Sequence, residues 1–123
     1  MTTKDAITVR WEGTPVSANR RLAPGRGRLH ASTAYLCFKM AMAARLLECG
    51  RKVGAAPVEV DLELTIPPQM DVDAIIKPCL DAIQESGIID NDRQVKSVTA
   101  RKVSTRKPYG VLFQIRPQDE SRA

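Results

Sequence analysis

Asp71 and Asp73 stand two residues apart, and Asp92 follows after one helix-length of mostly apolar sequence. In extended chain a spacing of two puts both side chains on the same side, so three carboxylates can converge. The segment from Met70 to Asp92 holds five aspartates and one glutamate, with Lys77 as its single cation, inside an otherwise basic chain. Such a cluster needs positive charge. Magnesium suits it, as a hard ion that takes carboxylate and water oxygens and keeps several waters. Phosphodiester hydrolysis uses that arrangement: bound metal polarises the phosphate, lowers the pKa of an attacking water and offsets charge on the leaving oxygen. Lys77 can add positive charge at a nonbridging oxygen.

Blander readings compete for the same residues. Asp73 can cap a helix. Asp73, Lys77 and Asp81 fall at i, i+4 and i+8, which suits a salt-bridge ladder on one helix face but leaves Asp71 and Asp92 without a role. A calcium loop is excluded, because the sixth and twelfth positions counted from Asp71 are Ile76 and Ala82, where glycine and glutamate are required.

The elements that must position these residues are legible in part. Ala6 to Trp11 reads as a strand, closed by Gly13 and Pro15. Ser17 to His30 holds Pro24, Gly25, Gly27 and four arginines, the composition of an exposed loop. Ser32 and Thr33 supply caps for a helix over Ala34 to Glu48, ending near Gly50. Val58, Val60, Leu62, Leu64 and Ile66 alternate with Glu59, Asp61, Glu63 and Thr65, a strand with one buried face. A helix then runs from Lys77 or Pro78 to Ser86 with Gly87 as its left-handed stop, leaving Asp71 to Ile76 as a separate turn. Gln94 to Ser104 and Tyr109 to Ile115 read as strands joined in a hairpin. The order β, α, β, α, β, β describes an α+β fold with a mixed sheet of about four strands and two main helices. Trp11 reads as core and His30 as a surface group.

A chain of 123 residues suits one domain that buries a core without staples. Cys37, Cys49 and Cys79 are an odd set with no paired spacing, hence buried thiols in a reducing compartment. No apolar run reaches the roughly 20 residues of a membrane span and no signal peptide opens the chain, so a soluble, cytoplasmic protein is expected. The net charge of +5 is unevenly spread. Gly13 to Leu47 carries six basic residues and no acid, Glu48 to Asp92 ten acids against three bases, and Arg93 to Arg116 seven bases and no acid. Basic flanks around an acidic centre fit a polyanion held over bound metal, and charge alone fits a solvated, mixed-charge surface equally well. Asn19, Arg20, Arg21, Arg26 and Arg28 in the loop, with Arg101, Lys102, Arg106 and Lys107, are the candidate phosphate contacts, which position DNA without reading bases. Aromatics at 4% disfavour a single-strand reader built on stacking.

Asp-x-Asp, then Lys77-Pro78, Asp81-Ala82, Gly87 and Asp92-x-Gln94-Val95, together with Ser17-Ala18-Asn19-Arg20 and Tyr35, resemble the RusA family of Holliday junction resolvases from about Pro15 to Lys102. The resemblance implies a small homodimeric, magnesium-dependent endonuclease that places paired symmetric nicks in four-way DNA junctions, with manganese able to substitute, no organic cofactor and no membrane partner. It matches Asp71, Asp73 and Asp92 to the family's metal-binding aspartates and Lys77 to its catalytic lysine, in a domain over residues 1–116 followed by a disordered tail, 117–123. Two positions depart from it: Ala74 stands where the family has asparagine, and Asn91 where it has an acid. Losing the asparagine amide removes a hydrogen bond that can orient a ligand, which bears on rate more than on the reaction. Two-fold symmetry also follows from cutting two strands of like polarity about a dyad. Two other readings remain: a non-catalytic junction or duplex binder with structural aspartates, and a nuclease acting on flaps or other DNA.

Overall fold

The computed structural model describes residues 6–17, 22–25, 28–31 and 33–118. Six strands, two helices and a 3-10 turn follow one another as β1 (Ile7–Glu12), β2 (Leu22–Gly25), β3 (Arg28–Ala31), α1 (Thr33–Leu47), β4 (Val58–Thr65), α2 (Asp73–Ser86), the turn Asp92–Gln94, β5 (Val95–Ser104) and β6 (Gly110–Pro117). The main sheet is mixed, in the order β1-β6-β4-β5, with β2 and β3 paired as a separate ribbon. This is the expected α+β architecture, and the expected boundaries of β1, α1, β4, β5 and β6 fall within two residues of the observed ones.

Alternation builds the core. Val58, Val60, Leu62 and Leu64 of β4 are at most 1% exposed, and they share one sheet face with Ile7, Val9 and Trp11 of β1 and Val111, Phe113 and Ile115 of β6. Against that face pack Phe38, Met42 and Leu46 of α1 and Ile75, Cys79, Ala82 and Ile83 of α2. Trp11 meets Phe38 with ring centres 5.2 Å apart, so it is core as expected. The other face carries Glu59, Asp61 and Glu63, each paired to an arginine: Arg116 reaches Glu59 (3.3 Å) and Asp61, and Arg101 reaches Glu63 (2.8 Å). No described helix is long and apolar enough to cross a membrane.

Four expectations are corrected. β5 and β6 do not form a hairpin, because β4 lies between them, antiparallel to β6 and parallel to β5. A strand with one face fully buried is most stable with a neighbour on each edge, which pairs its backbone groups while that face stays covered. Within Ser17 to His30, part of the expected loop is the β2–β3 ribbon, with Pro24 opposite Leu29. α2 starts at Asp73 and contains Pro78 in its second turn. The proline forfeits one helical hydrogen bond, the one its N–H would have made to Ala74 O, two residues beyond the first turn, whose N–H groups lack helical acceptors anyway. Finally, Pro117 belongs to β6 and the Gln118 N–H donates to Pro57 O at 2.8 Å, so the last strand and its bonding run two residues past the domain boundary expected at residue 116. Residues 119–123 lie outside the described chain.

The β4-α2-β5 unit dictates where the acids go. Parallel strands require the chain to return to the starting end between them, and α2 makes that return. Its 14 residues at about 1.5 Å each span about 21 Å. Whatever precedes α2 lies at one end of the sheet, and whatever precedes β5 lies at the other.

Candidate metal and nucleic-acid site

Asp71 and Asp73 sit at the end of the sheet where β4 and β5 finish. Ile66 N donates to Ser104 O (3.2 Å), and Met70 N closes a turn onto Pro67 O (3.0 Å). The first turn of α2 is tightened by Ala74 N to Asp71 O (3.2 Å) and Ile75 N to Val72 O (3.1 Å). Both carboxylates are exposed. They lie at the positive end of the helix macrodipole. Among the described residues neither they nor Asp92 joins an ion pair. Lys77, one turn into α2, bonds Asp81 at 3.5 Å. The later half of the expected Asp73-Lys77-Asp81 ladder therefore forms, and Asp73 stays outside it.

Asp92 is elsewhere. It opens the 3-10 turn before β5, and its N–H donates to the side chain of Gln84 near the C-terminal end of α2 (2.9 Å). Within one protomer the helix length thus separates Asp92 from Asp71 and Asp73, and no three histidine, cysteine, aspartate or glutamate side chains among the described residues gather closely enough to hold a metal ion. The sequence places the carboxylates in order but not in topology. An Asp71–Asp73 pair still fits magnesium, which is commonly held by one or two carboxylates and completed by waters.

Basic residues divide between the two ends and the two faces. Lys102 Nζ donates to Pro68 O (3.2 Å), tying β5 to the loop that leads into Asp71. Arg106 and Lys107, exposed in the β5–β6 connection, share that end, next to a shallow groove lined by Gly13, Thr14, Lys107, Pro108 and Tyr109. Lys107 Nζ stands 5.9 Å from the centre of the Tyr109 ring. Arg101 points to the opposite sheet face, where the hydrogen bond from its guanidinium to Glu63 raises its pKa. Asp61 does the same for Arg116. Asn19, Arg20, Arg21 and Arg26 lie outside the described residues, and Arg28 begins β3.

A chain with an exposed aspartate pair at the head of a crossover helix matches the family model described as Endodeoxyribonuclease RusA over residues 12–116. The chain belongs to the RusA family. The match extends beyond the Pro15 to Lys102 stretch in which the motifs were legible, and takes in β4, β5 and all but the last residue of β6, but only Glu12 of β1. No individually curated protein matches the chain. Membership makes it an endodeoxyribonuclease by family, and the two departures from the RusA pattern acquire structural settings. Ala74 is 8% exposed and packs in the first turn of α2. Asn91 caps the 3-10 turn, its side-chain oxygen accepting from Arg93 N at 2.8 Å; an aspartate would cap equally well. Sequence reasoning passed over Gln84 and gave Gln94 no role beyond its motif, although a glutamine ahead of a strand and three residues after an Asx cap is the pattern of a capping box.

Proposed function

We propose that the chain is a homodimeric, magnesium-dependent endonuclease that resolves four-way DNA junctions by paired symmetric nicks. The observation that carries this reading is the exposed Asp71–Asp73 pair, joined to no described cation and set at the positive end of α2, in a member of an endodeoxyribonuclease family. Asp71 and Asp73 hold the metal from one protomer, and the partner's Asp92 completes the carboxylate set. A two-fold axis across α2 brings the start of one helix beside the end of the other, completing two sites with one operation. The outer side of α1 supports a dimer: Leu36, Met40 and Leu47 are 40%, 50% and 63% exposed on a helix whose other side is already buried. A helix with apolar side chains on its outer side as well as on its core side can pack on two sides.

Metal held there supplies a polarised scissile phosphate and a water of lowered pKa. The chain's own residues do the rest. Lys77, exchanging Asp81 for a nonbridging oxygen, stabilises charge that develops in the transition state. Lys102, Arg106 and Lys107 hold the DNA backbone at the same sheet end, and manganese substitutes for magnesium because it accepts the same oxygen ligands.

The test is to incubate the protein with a four-way junction, a flap and a linear duplex, in magnesium or in chelator, and to map cuts on each strand. Symmetric cuts unique to the junction and dependent on metal are expected. Binding without cleavage in magnesium or in manganese would make the aspartates structural, and equal cutting of linear duplex would assign a different substrate. D73N should abolish cleavage while junction binding persists, since removing a negative charge does not weaken attraction to phosphate.

A further inference from the structure

We infer that Gln94, together with Gln84, is a positioning residue that fixes the Asp92 carboxylate for metal binding, an inference that rests on reading Asp92 as a metal ligand. The Gln94 side chain uses its full hydrogen-bonding capacity. Its oxygen accepts from Asp90 N and Asn91 N, both at 2.7 Å, and its nitrogen donates to Gly54 O at 2.6 Å and Ala56 O at 2.8 Å. A primary amide offers two acceptor sites and two donors, so none is left over. The four partners also define which way the amide faces, because the flipped group would set N–H against N–H and oxygen against oxygen.

The consequence reaches Asp92 through the backbone. Gln94 clamps the two residues before Asp92 to the segment that leads into β4, where Val53 N also donates to Ile88 O at 2.8 Å. Gln84 holds Asp92 N from α2 at 2.9 Å. Asp92 is thus held between the segment that leads into β4 on one side and α2 on the other, and its carboxylate is exposed and joined to no described cation. A ligand that must meet a second protomer's carboxylates needs such fixing, since productive sites tolerate about 0.5 Å of displacement. A turn that only connected α2 to β5 would need no such double brace.

The experiment measures Mn2+ binding calorimetrically to the full-length wild type, Q94A, Q84A and D92N, with junction binding in chelator and melting temperature followed in parallel. Q94A should bind Mn2+ about ten-fold or more weakly, with junction affinity in chelator unchanged within about two-fold, and millimolar Mn2+ should restore its cleavage but not that of D92N. Wild-type Mn2+ affinity in Q94A and Q84A, alongside loss in D92N, would overturn the positioning role while sparing the reading of Asp92. Wild-type affinity in D92N itself would instead remove Asp92 from the site, and the positioning role with it. Should Q94A fail to fold, Q84A decides: it removes one acceptor from an exposed helix position, and weaker Mn2+ binding there supports the proposal whereas unchanged binding overturns it.

Discussion

Cys37 and Cys79 show how far position outweighs residue type. All three thiols were expected in the core, yet Cys37 lies on the outer side of α1 and is exposed, Cys49 is half-buried and only Cys79 is enclosed. Helical phase decides the difference, because Cys37 follows the buried Tyr35 by two positions and precedes Phe38 by one, which turns it away from the sheet. Burial raises the Cys79 pKa far above the usual thiol value of 9.0, since a thiolate there would lose its hydration. A thiol reagent should therefore label Cys37 rapidly in the native protein and reach Cys79 only on unfolding, as counted by mass spectrometry. The same shift has a sign in pH. The folded state keeps the Cys79 proton and the unfolded chain releases it, so stability is unaffected below about pH 8 and falls above pH 9 by up to about 1.4 kcal/mol per unit. C79A should show a shallower alkaline slope in urea midpoints; an identical slope would mean that this thiol does not titrate on unfolding.

Elements were legible where one pattern ruled and illegible where pairing had to be known. The alternation in β4 and the apolar run of α1 named those elements because burial on a sheet face or a helix side imposes its period on the sequence. The ends of α2 split the two cases. Its stop at Gly87 was readable, since that residue adopts φ 83° and donates its N–H to Gln84 O at 3.1 Å, a left-handed position that glycine occupies without a Cβ penalty. Its start was not, because Pro78 suggests a boundary while the packing of Ala74 and Ile75 against the core carries the helix back to Asp73. β5 and β6 are joined by a short connection that suggests a hairpin, and nothing local reveals that β4 comes between them. The same blindness hid the separation of Asp92 from Asp71 and Asp73: sequence spacing gives the helix length but not that a parallel crossover puts its two ends at opposite ends of the strands. Gly87 offers a test on the element that carries both. With nothing within 4 Å of an added Cβ, G87A should cost only the backbone term, about 1 kcal/mol, read as a lower urea midpoint, and G87N should cost less because asparagine tolerates the left-handed region.

At the scale of the whole molecule, the distribution of carboxylates distinguishes a site built within one chain from a site shared by two. α2 holds Asp73 at one end and, through Gln84, Asp92 at the other, so in the proposed homodimer each protomer would carry half of two sites and the whole of neither. D73N and D92N should each be inactive alone, because in either homodimer both sites lack a ligand. Mixed under conditions that let subunits exchange, they form heterodimers in which one site combines both substitutions and the other combines neither. That second site is intact. Statistical exchange makes about half of the dimers mixed, each with one good site, so nicking should return at about a quarter of the wild-type level per site. Products should be single nicks rather than paired cuts, which a strand-specific label on each junction arm distinguishes. A site assembled within one chain gives the opposite result, since each protomer of the mixed dimer would still lack one of its own carboxylates and no mixing ratio would restore cleavage. The same exchange performed with Q94A in place of D92N should restore the second site to full metal affinity, because there the chain contributing Asp71 and Asp73 is the one carrying the loosened Asp92.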